Sequence, residues 1–282
     1  MPTFVTESNA SLLTDLYQLT MLQAYWREGM QEAAVFSLHF RRLPAHRNYV
    51  VACGLDDVLE RIEGIRFDAA TLAVLARLPG PEGAPLFGEE FLRHLEGFRV
   101  RATVFAVAEG TPVFPNEPLL ELVAPIGEAQ FAETIVMNQM HLQTVLASKA
   151  ARIVEAAGGR PVVDFGLRRM HGADAGLKGA RAEYVAGVSA TSNVLAGAVY
   201  GIPVQGTLAH SYVQAHASEG EAFRRFSALH PRAMLLVDTY DTLGGVEAVI
   251  ALARERGTEF RVEGIRLDSG DLAALSREAR AR

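Results

Sequence analysis

Apolar and polar residues in the first half of the chain follow both helical and strand periods. Leucines spaced three or four residues apart predict a helix over about 12–28. Alternating apolar and polar side chains predict strands at 36–41 and 100–106, and 119–125 is a predicted return strand. Further predicted helices are 49–65, 68–78, 88–96 and 128–157. The mixture predicts an N-terminal α+β domain over 1–159.

From residue 161 the pattern becomes regular. Short apolar runs, each followed by a helical stretch, occur at 161–165, 202–208, 233–239 and 262–268. Strands that alternate with helices indicate βα units and a parallel sheet. The predicted class is therefore α/β, with an irregular α/β barrel over 160–282. About four βα units are present where a regular barrel has about eight, so we expect the sequence to be part of a longer protein.

The composition is that of an ordinary globular protein. Of 282 residues, 49% are hydrophobic and 21% charged, which excludes a disordered or collagen-like chain. No apolar stretch reaches the roughly 18–20 residues of a membrane span, and the N-terminus lacks the pattern of a secretory signal. The single cysteine, Cys53, fits a reducing compartment, so a cytoplasmic location is expected.

The formal net charge of −6 argues against a protein that coats nucleic acid. Lys149 and Lys178 are the only lysines, and 25 of the 27 basic residues are arginines. Codon usage in a GC-rich genome is the simpler explanation of this bias, although arginine also suits bidentate binding of phosphate or carboxylate better than lysine does.

Ionisable side chains follow each apolar run of the second half. In βα folds, reactive groups collect at the carboxyl ends of the strands. We therefore expect these ionisable side chains to converge around one cavity. The segments are 164–169 (DFGLRR), 206–211 (GTLAHS), 238–241 (DTYD) and 266–271 (RLDSGD).

The residue types in these segments indicate the ligand. Arg168, Arg169 and Arg266 are charge-assisted donors for an anion. Asp238 and Asp268 suit Mg²⁺ or sugar hydroxyls. Together they favour a sugar phosphate that carries its own metal ion. The carboxylates of the other two aspartates, at 241 and 271, are equally well interpreted as helix caps.

His210 is the candidate catalytic residue. It follows an apolar run and a Gly-Thr turn, and its imidazole can accept a proton or act as a nucleophile toward phosphorus. The other histidines have no comparable setting. The chain has no Cys/His zinc spacing, no GxGxxG after a strand, no Walker loop and no GxSxG elbow.

Six segments, in order, resemble motifs of the nicotinate phosphoribosyltransferase family. They are LLTDLYQLTMLQAYW, FRRLP…RNYVVACGL, DFGLRRMHGADAG, TSNVLAGAVYGIPVQGTLAHSYV, LVDTYDT and GIRLDSGDL. The resemblance implies an N-terminal α+β domain beside an irregular α/β barrel. It also implies the reaction: nicotinate displaces pyrophosphate from 5-phosphoribosyl 1-diphosphate (PRPP), and ATP hydrolysis drives the step through a phosphohistidine, with Mg²⁺ bound to PRPP or ATP.

The same resemblance assigns the site residues. His210 matches the phosphorylated histidine. Tyr17 and Phe165 match aromatic residues that stack on the pyridine ring, and Arg168 matches an arginine that binds pyrophosphate. Arg266 and Asp268 match the arginine and the ribose-binding aspartate of the fourth strand. The other matching substrate-binding positions are Asp238, near PRPP and its metal, and Thr207 and Ser211 beside the histidine. Because Tyr17 matches a residue supplied across a dimer, a homodimer with shared sites is expected. No nucleic acid or membrane partner is expected.

Two alternatives remain open from the sequence. The first alternative is a nicotinamide-using enzyme. Relatives of that kind carry an aspartate beside the second barrel helix, whereas residues 189–193 contain no acid, which favours a carboxylate substrate. The second is a shortened, non-catalytic relative that binds a partner. Members of the family normally run past 282 residues, and their later strands hold the ribose 5-phosphate, so we expect this chain alone to bind PRPP poorly and to be largely inactive.

Overall fold

The structure, a computed structural model, describes residues 4–282. The chain forms two compact units, of which the first extends to Val204 and the second is Gln205–Arg282. Both units mix helices and strands, in agreement with the expected α/β class. The predicted domain boundary near residue 160 stays a prediction.

The first unit contains most of the regular structure. Its helices are α1 (Leu16–Glu28), α2 (Leu55–Gly64), α3 (Ala69–Leu75), α4 (Glu89–Glu96), α5 (Ile126–Ala156), α6 (Ala173–Val185) and α7 (Val194–Tyr200). Its strands are β1 (Ala33–His39), β2 (Val50–Val51), β3 (Thr103–Ala106), β4 (Pro112–Val113), β5 (Pro118–Pro125), β6 (Val163–Asp164) and β7 (Ala190–Thr191). Short 3-10 turns lie at Ala10–Leu12, Pro81–Gly83 and Leu167–Arg169.

Strands β1, β5 and β3 form an antiparallel sheet in that order. Val35 pairs with Val123, and Phe105 pairs with Glu121. One face of the sheet packs on the long helix α5, where Leu120 and Leu122 are buried. The predicted strands at 36–41, 100–106 and 119–125 are therefore confirmed, with small shifts at their ends.

Helix α5 is the central support of the first unit. Its 31 residues match the predicted helix at 128–157. Helices α1, α2 and α6 pack against it. At Gly127 a β-carbon would lie 2.9 Å from Leu22 Cδ1, so glycine allows the close approach of α1.

The prediction of one helix over 49–65 is wrong in its first part. Val50 and Val51 pair with β4, and the helix begins only at Leu55. Gly54 stands between them with φ 107°, a conformation that β-carbon-bearing residues avoid. The predicted helix at 12–28 is also shorter than expected, because α1 begins at Leu16.

The parallel part of the fold is short-stranded. Strands β6 and β7 pair in parallel, and Val204 adds a single parallel bridge to Thr191. The predicted strand at 202–208 is thus reduced to one bridge, since Pro203 lacks the N–H that a strand partner needs. Within residues 4–282 the parallel pairs are β6–β7 and β8–β9, so a closed barrel stays a prediction.

The second unit is built on the parallel pair of β8 (Met234–Leu236) and β9 (Gly264–Arg266). Its helices are α8 (His210–Gln214), α9 (Glu219–Leu229), α10 (Thr242–Arg256) and α11 (Leu272–Ala281). At Gly245 a β-carbon would collide with the carbonyl oxygen of Val237, so glycine lets α10 approach the end of β8 closely. This packing fixes the loop between β8 and α10.

Two aspartates of these loops cap the helices that follow them. The Asp241 carboxylate accepts a hydrogen bond from the Gly244 N–H at 2.6 Å, and Asp271 accepts one from Ala274 at 3.0 Å. Both are therefore helix caps, one of the two interpretations that the sequence allowed.

Candidate functional site

Three loops of the second unit bring predicted site residues together. They follow β8 and β9 and precede α8. At the end of β9, Arg266 donates from Nη1 to Thr207 Oγ1 at 2.7 Å and from Nη2 to Asp268 Oδ1 at 2.5 Å. The Arg266 guanidinium thus connects Thr207, which lies 59 positions earlier in the chain, to Asp268.

His210 lies beside the same carboxylate. Its Nε2 is 3.5 Å from Asp268 Oδ2, and its Nδ1 is 3.2 Å from Thr239 Oγ1. The imidazole is 40% exposed, so a ligand in solvent can reach it. Contacts on both ring nitrogens set the orientation of the ring.

The hydrogen bond from Arg266 lowers the pKa of the Asp268 carboxyl, and His210 contributes in the same direction. Asp268 is therefore an acceptor throughout the physiological pH range. A carboxylate that is held between a guanidinium and an imidazole suits a ligand that has both hydroxyl and anionic groups.

Asp238 lies on the buried side of the site. It is buried, and its Oδ2 accepts hydrogen bonds from the backbone N–H of Asp268 at 2.8 Å and from Ser269 Oγ at 2.7 Å. Its Oδ1 is buried and has no hydrogen-bond partner among the described residues. A buried carboxylate oxygen without a partner is costly unless a ligand satisfies it.

A second acidic side chain, that of Glu219, lies near Asp238. Burial raises the pKa of Glu219, at the start of α9, and the nearby carboxylates of Asp241 and Asp238 raise it further. The Glu219 Oε1 atom is also buried, and no residue of 4–282 forms a hydrogen bond with it. The side of the site next to α9 is therefore acidic, whereas the side next to β9 carries the arginine.

Ser211 is the predicted residue of this unit for which no contact with the cluster is found. It follows His210 in the first turn of α8 and is exposed. The structure thus brings Thr207, His210, Asp238, Arg266 and Asp268 into one cluster, and Ser211 lies at its edge.

Tyr17, Phe165 and Arg168 belong to the first unit. Tyr17 is on α1, is 46% exposed, and donates from its hydroxyl to Glu133 Oε1 at 3.2 Å. Burial, followed by the charges of Glu133 and Asp15, raises the pKa of Tyr17. The phenol therefore stays protonated near neutral pH, and its ring remains available at the surface.

Phe165 and Arg168 follow β6 directly. Phe165 is half-buried, and Arg168 is exposed within the turn Leu167–Arg169. The Gly166 N–H donates to Asp164 Oδ1 at 2.5 Å, and the turn closes through Arg169 N to Gly166 O at 2.8 Å. The local chain therefore holds an aromatic ring and a guanidinium on one short loop.

The sequence interpretation missed three residues of the second unit. Thr239 contacts His210, Ser269 donates to Asp238, and Glu219 adds a half-buried acid near Asp238. The first two stand next to predicted aspartates in VDT and LDSGD, so their position at strand ends was the available signal. Glu219 begins a surface helix and carries no such signal.

Within residues 4–282, each helix is too short or too polar to cross a bilayer. In the same part of the chain, no three His, Cys, Asp or Glu side chains are grouped so that they could hold a metal ion.

Sequence profiles of a known family match both halves of the chain. Residues 12–141 match the nicotinate phosphoribosyltransferase (NAPRTase) N-terminal domain, and residues 161–281 match the nicotinate phosphoribosyltransferase (NAPRTase) family. Together these matches account for nearly all of the chain.

Curated relatives are named in the same way. A nicotinate phosphoribosyltransferase of Mycobacterium tuberculosis is 57% identical over 272 residues, which cover 96% of this chain and 58% of the relative. One from Bacillus subtilis is 44% identical over 276 residues and covers 97% of this chain and 55% of the relative. The chain thus spans less than two thirds of the length of these relatives.

Solved structures agree with the fold. The crystal structure of human nicotinic acid phosphoribosyltransferase has a TM-score of 0.85 at 32% identity, and the match covers 95% of this chain and 63% of that one. The structure of a nicotinate-nucleotide pyrophosphorylase from Pyrococcus furiosus has a TM-score of 0.77 at 22% identity, over 100% of this chain and 65% of that one. The second match concerns the fold alone.

Proposed function

Because the chain belongs to the nicotinate phosphoribosyltransferase family, we propose that it carries the site of a nicotinate phosphoribosyltransferase that uses PRPP and ATP. The product is nicotinate mononucleotide, a precursor in NAD biosynthesis. The observation that carries the proposal is the cluster of Thr207, His210, Arg266 and Asp268, whose side chains meet within hydrogen-bond or ion-pair distance.

The phosphoribosyl transfer itself needs little covalent participation by the protein. The ring nitrogen of nicotinate bonds to C1′ of PRPP while the C1′–O bond breaks, and pyrophosphate leaves with that electron pair. Positive charge develops on the ribose ring as the bond breaks. Orientation of the ring nitrogen and stabilisation of the departing anion are therefore the main requirements.

Arg266 and Asp268 meet these requirements in part. Asp268 accepts hydrogen bonds from ribose hydroxyls, and its charge favours the cationic ribose of the transition state. Arg266 binds the anionic diphosphate through its guanidinium N–H groups, which in the structure donate to Thr207 and Asp268.

His210 is the proposed phosphate acceptor. The γ-phosphoryl group of ATP passes to an imidazole nitrogen, and ADP leaves. Water later cleaves the phosphorus–nitrogen bond and releases phosphate. The phosphohistidine adds about two negative charges beside Arg266 and Asp268, which changes the affinity of the site for the diphosphate.

Nicotinate is proposed to bind to residues of the first unit. The rings of Phe165 and Tyr17 stack on the pyridine ring, and Tyr17 comes from the second subunit of a homodimer. Arg168, on the same loop as Phe165, binds the pyrophosphate group. Residues 189–193 carry no acid, which supports the carboxylate over the amide as substrate.

Asp238 fits a magnesium ion that arrives with PRPP or ATP. Its Oδ1 is buried and without a partner in the described chain, and Mg²⁺ in such sites is held by one or two carboxylates together with substrate phosphates. When bound, the ion neutralises charge on the phosphates. The proposal also places the protein in the cytoplasm, with neither nucleic acid nor membrane as partner.

The test is formation of nicotinate mononucleotide from nicotinate and PRPP, with and without ATP. It is run on this chain and on a form extended to the length of the relatives, with nicotinamide in place of nicotinate as the comparison. The proposal predicts ATP-stimulated product from nicotinate in the extended form. Preference for nicotinamide would support the amide-using alternative, and binding without turnover would support the non-catalytic one.

A further inference from the structure

The loop that carries Phe165 and Arg168 is connected to the neighbouring strand by a buried carboxyl group. Asp164 is the last residue of β6, and Thr191 of β7 is its partner across the parallel pair. Both side chains are buried. Neither side chain takes part in the chemistry described above.

Asp164 uses both of its carboxylate oxygens. Its Oδ1 accepts a hydrogen bond from the Gly166 N–H at 2.5 Å, and its Oδ2 accepts one from the Thr191 hydroxyl at 2.7 Å. A β-carbon at Gly166 would lie 2.9 Å from Asp164 Oδ1, so the glycine permits the close contact. Because a buried polar group is stable only when it is hydrogen-bonded, these two donors fix the orientation of the carboxylate.

The Thr191 hydroxyl has a defined direction. Its Oγ1 accepts the backbone N–H of Asn193 at 3.1 Å, and the N–H of Thr191 itself donates to the Pro203 carbonyl oxygen at 3.0 Å. A threonine hydroxyl carries one proton. Since the contact with Asn193 uses a lone pair of Oγ1, that proton is available for the Asp164 carboxylate.

The second half of the loop packs on helix α6. At Gly176 a β-carbon would lie 2.6 Å from Leu167 Cδ1, and at Gly179 one would lie 2.1 Å from Met170 Cε. The two glycines therefore leave room for two side chains of the loop. This packing holds the end of the loop, whereas the Asp164 carboxylate holds its beginning.

We propose that Thr191 is a positioning residue whose hydroxyl orients the Asp164 carboxylate toward the Gly166 N–H. The hydrogen bond to Gly166 then holds Phe165 and Arg168 in their binding positions. The inference rests on the proposed function only for the ligands of the loop, nicotinate and the pyrophosphate group. The positioning itself is a property of the chain.

A preorganised loop loses less conformational freedom when a ligand binds than a loop that must first become ordered. Loss of the Thr191 hydroxyl is therefore expected to weaken the binding of both ligands. An effect on binding alone raises KM and leaves kcat nearly unchanged.

Three variants separate the hydroxyl from the shape of the side chain. Thr191→Val keeps the branched shape and removes the hydroxyl, whereas Thr191→Ser keeps the hydroxyl. The matched control is Thr144→Val on α5. The Thr144 hydroxyl is also buried, accepts the N–H of Cys53 at 3.2 Å and donates to the carbonyl oxygen of Cys53 at 3.0 Å.

The first measurement is amide hydrogen exchange at Gly166 in this chain, at one pH. We expect Thr191→Val to lower the protection of this amide about tenfold, the effect of losing a hydrogen bond to a charged group. Thr191→Ser and Thr144→Val should each change it by less than about twofold. If Thr191→Val does not fold, Thr191→Ala takes its place, because alanine puts no extra methyl group against the carboxylate.

The second measurement is steady-state kinetics in the extended form. In Thr191→Val the KM for nicotinate and for PRPP should each rise about tenfold, with kcat within about twofold of the wild type, and Thr191→Ser should restore both KM values. In an Asp164→Ala background, Thr191→Val should add less than about a twofold change, because Thr191 acts through that carboxylate.

Wild-type protection of the Gly166 amide in Thr191→Val overturns the inference. An equal loss of protection in Thr191→Ser or in Thr144→Val also overturns it, and so does a full additional rise of KM in the Asp164→Ala background. If the exchange pattern is as predicted and nicotinate is not a substrate, the proposed function fails and the positioning role stands. If nicotinate is used but the exchange pattern is absent, the positioning role fails.

Discussion

Arg266 and Asp268 form a salt bridge across a single intervening residue, with 2.5 Å between Nη2 and Oδ1. Side chains two positions apart in an extended chain point to the same side. The end of β9 therefore presents a guanidinium and a carboxylate together, and the guanidinium also reaches Thr207. A ligand with both phosphate and hydroxyl groups can be bound by this pair.

Replacement of Arg266 by lysine tests the need for this geometry. Lysine keeps the charge but lacks the planar guanidinium whose N–H groups contact Thr207 and Asp268 at the same time. We expect the KM for PRPP to rise about ten- to a hundredfold, since a charge-assisted hydrogen bond contributes about 1.5–3 kcal/mol. The control Arg261→Lys, in an exposed segment, should leave KM unchanged, and equal effects of both variants would contradict the assignment.

His210→Asn should remove the phosphoenzyme and the ATP-stimulated part of the activity. Asparagine keeps a hydrogen bond to Thr239 but cannot form a phosphorus–nitrogen bond of the imidazole type. Incubation with γ-labelled ATP and detection of acid-labile label on the protein measures this. The control is His39→Asn on β1, and persistent labelling of His210→Asn would refute the role of His210.

A site shared between subunits predicts complementation. Tyr17→Ala and Asp268→Ala affect residues that lie in different compact units. If Tyr17 acts on the partner subunit's site, mixed dimers contain one site with neither substitution. Mixing the two inactive proteins should then restore up to about a quarter of the activity. No recovery in dimers shown to have exchanged subunits would count against sharing.

The ion pair of Arg181 with Glu109 should contribute strongly to stability. Both side chains are mostly buried, 2.6 Å separates Nη2 from Oε2, and Glu109 also accepts from the N–H of Gly54 and of Leu55 at the start of α2. Arg181→Met leaves the Glu109 carboxylate without its cation, which costs about 3 kcal/mol. Urea unfolding measures the loss, and Arg160→Met, at an exposed site, should change stability by less than about 0.5 kcal/mol.

The ion pair of Arg181 with Glu109 also predicts that the protein loses stability at acid pH. Burial alone raises the pKa of Glu109, but the hydrogen bonds from Arg181 and Gly54 outweigh burial, and the pKa lies below its usual value. The stabilisation is therefore present above about pH 4.3, the unfolded value, and is lost as pH falls through the lower folded value. The difference in unfolding free energy between wild type and Arg181→Met should shrink in that range; a constant difference would contradict the ion pair.

Cys53 should be inert in the folded protein. Burial is the main cause that raises the pKa of its thiol to about 12. At pH 8 about one thiol in ten thousand is then ionised, and the thiolate is the reactive form. Alkylation at pH 8 should be undetectable in the native protein and complete in denaturant. Rapid native labelling would place Cys53 in an exposed environment.

Much of the fold could be predicted from local pattern. Helix α5 was expected at 128–157 and spans Ile126–Ala156, because its apolar positions continue without a breaker. The start of α2 could not be predicted in this way. Gly54 interrupts an apolar segment in which Val50 and Val51 pair with Val113 and Pro112 of β4, and the composition of the segment does not indicate that pairing.

The site was predictable where strand ends determine it. Asp238 and Asp268 lie two residues beyond the ends of β8 and β9, where reactive groups are expected, whereas His210 begins α8 and follows a run that forms only a single bridge at Val204. The contacts between them depend on side-chain distances that strand positions do not supply, such as that between Thr239 and His210.

The most direct measurement is the rate of nicotinate mononucleotide formation in the extended form and its Asp268→Asn variant, with and without ATP. The account predicts ATP-stimulated synthesis in the wild type, and a loss of at least about a hundredfold in the variant, in which Arg266 and His210 face a neutral amide. Wild-type synthesis that Asp268→Asn leaves unchanged, or no synthesis from nicotinate and PRPP by the wild type, would contradict a phosphoribosyl transfer site at this cluster.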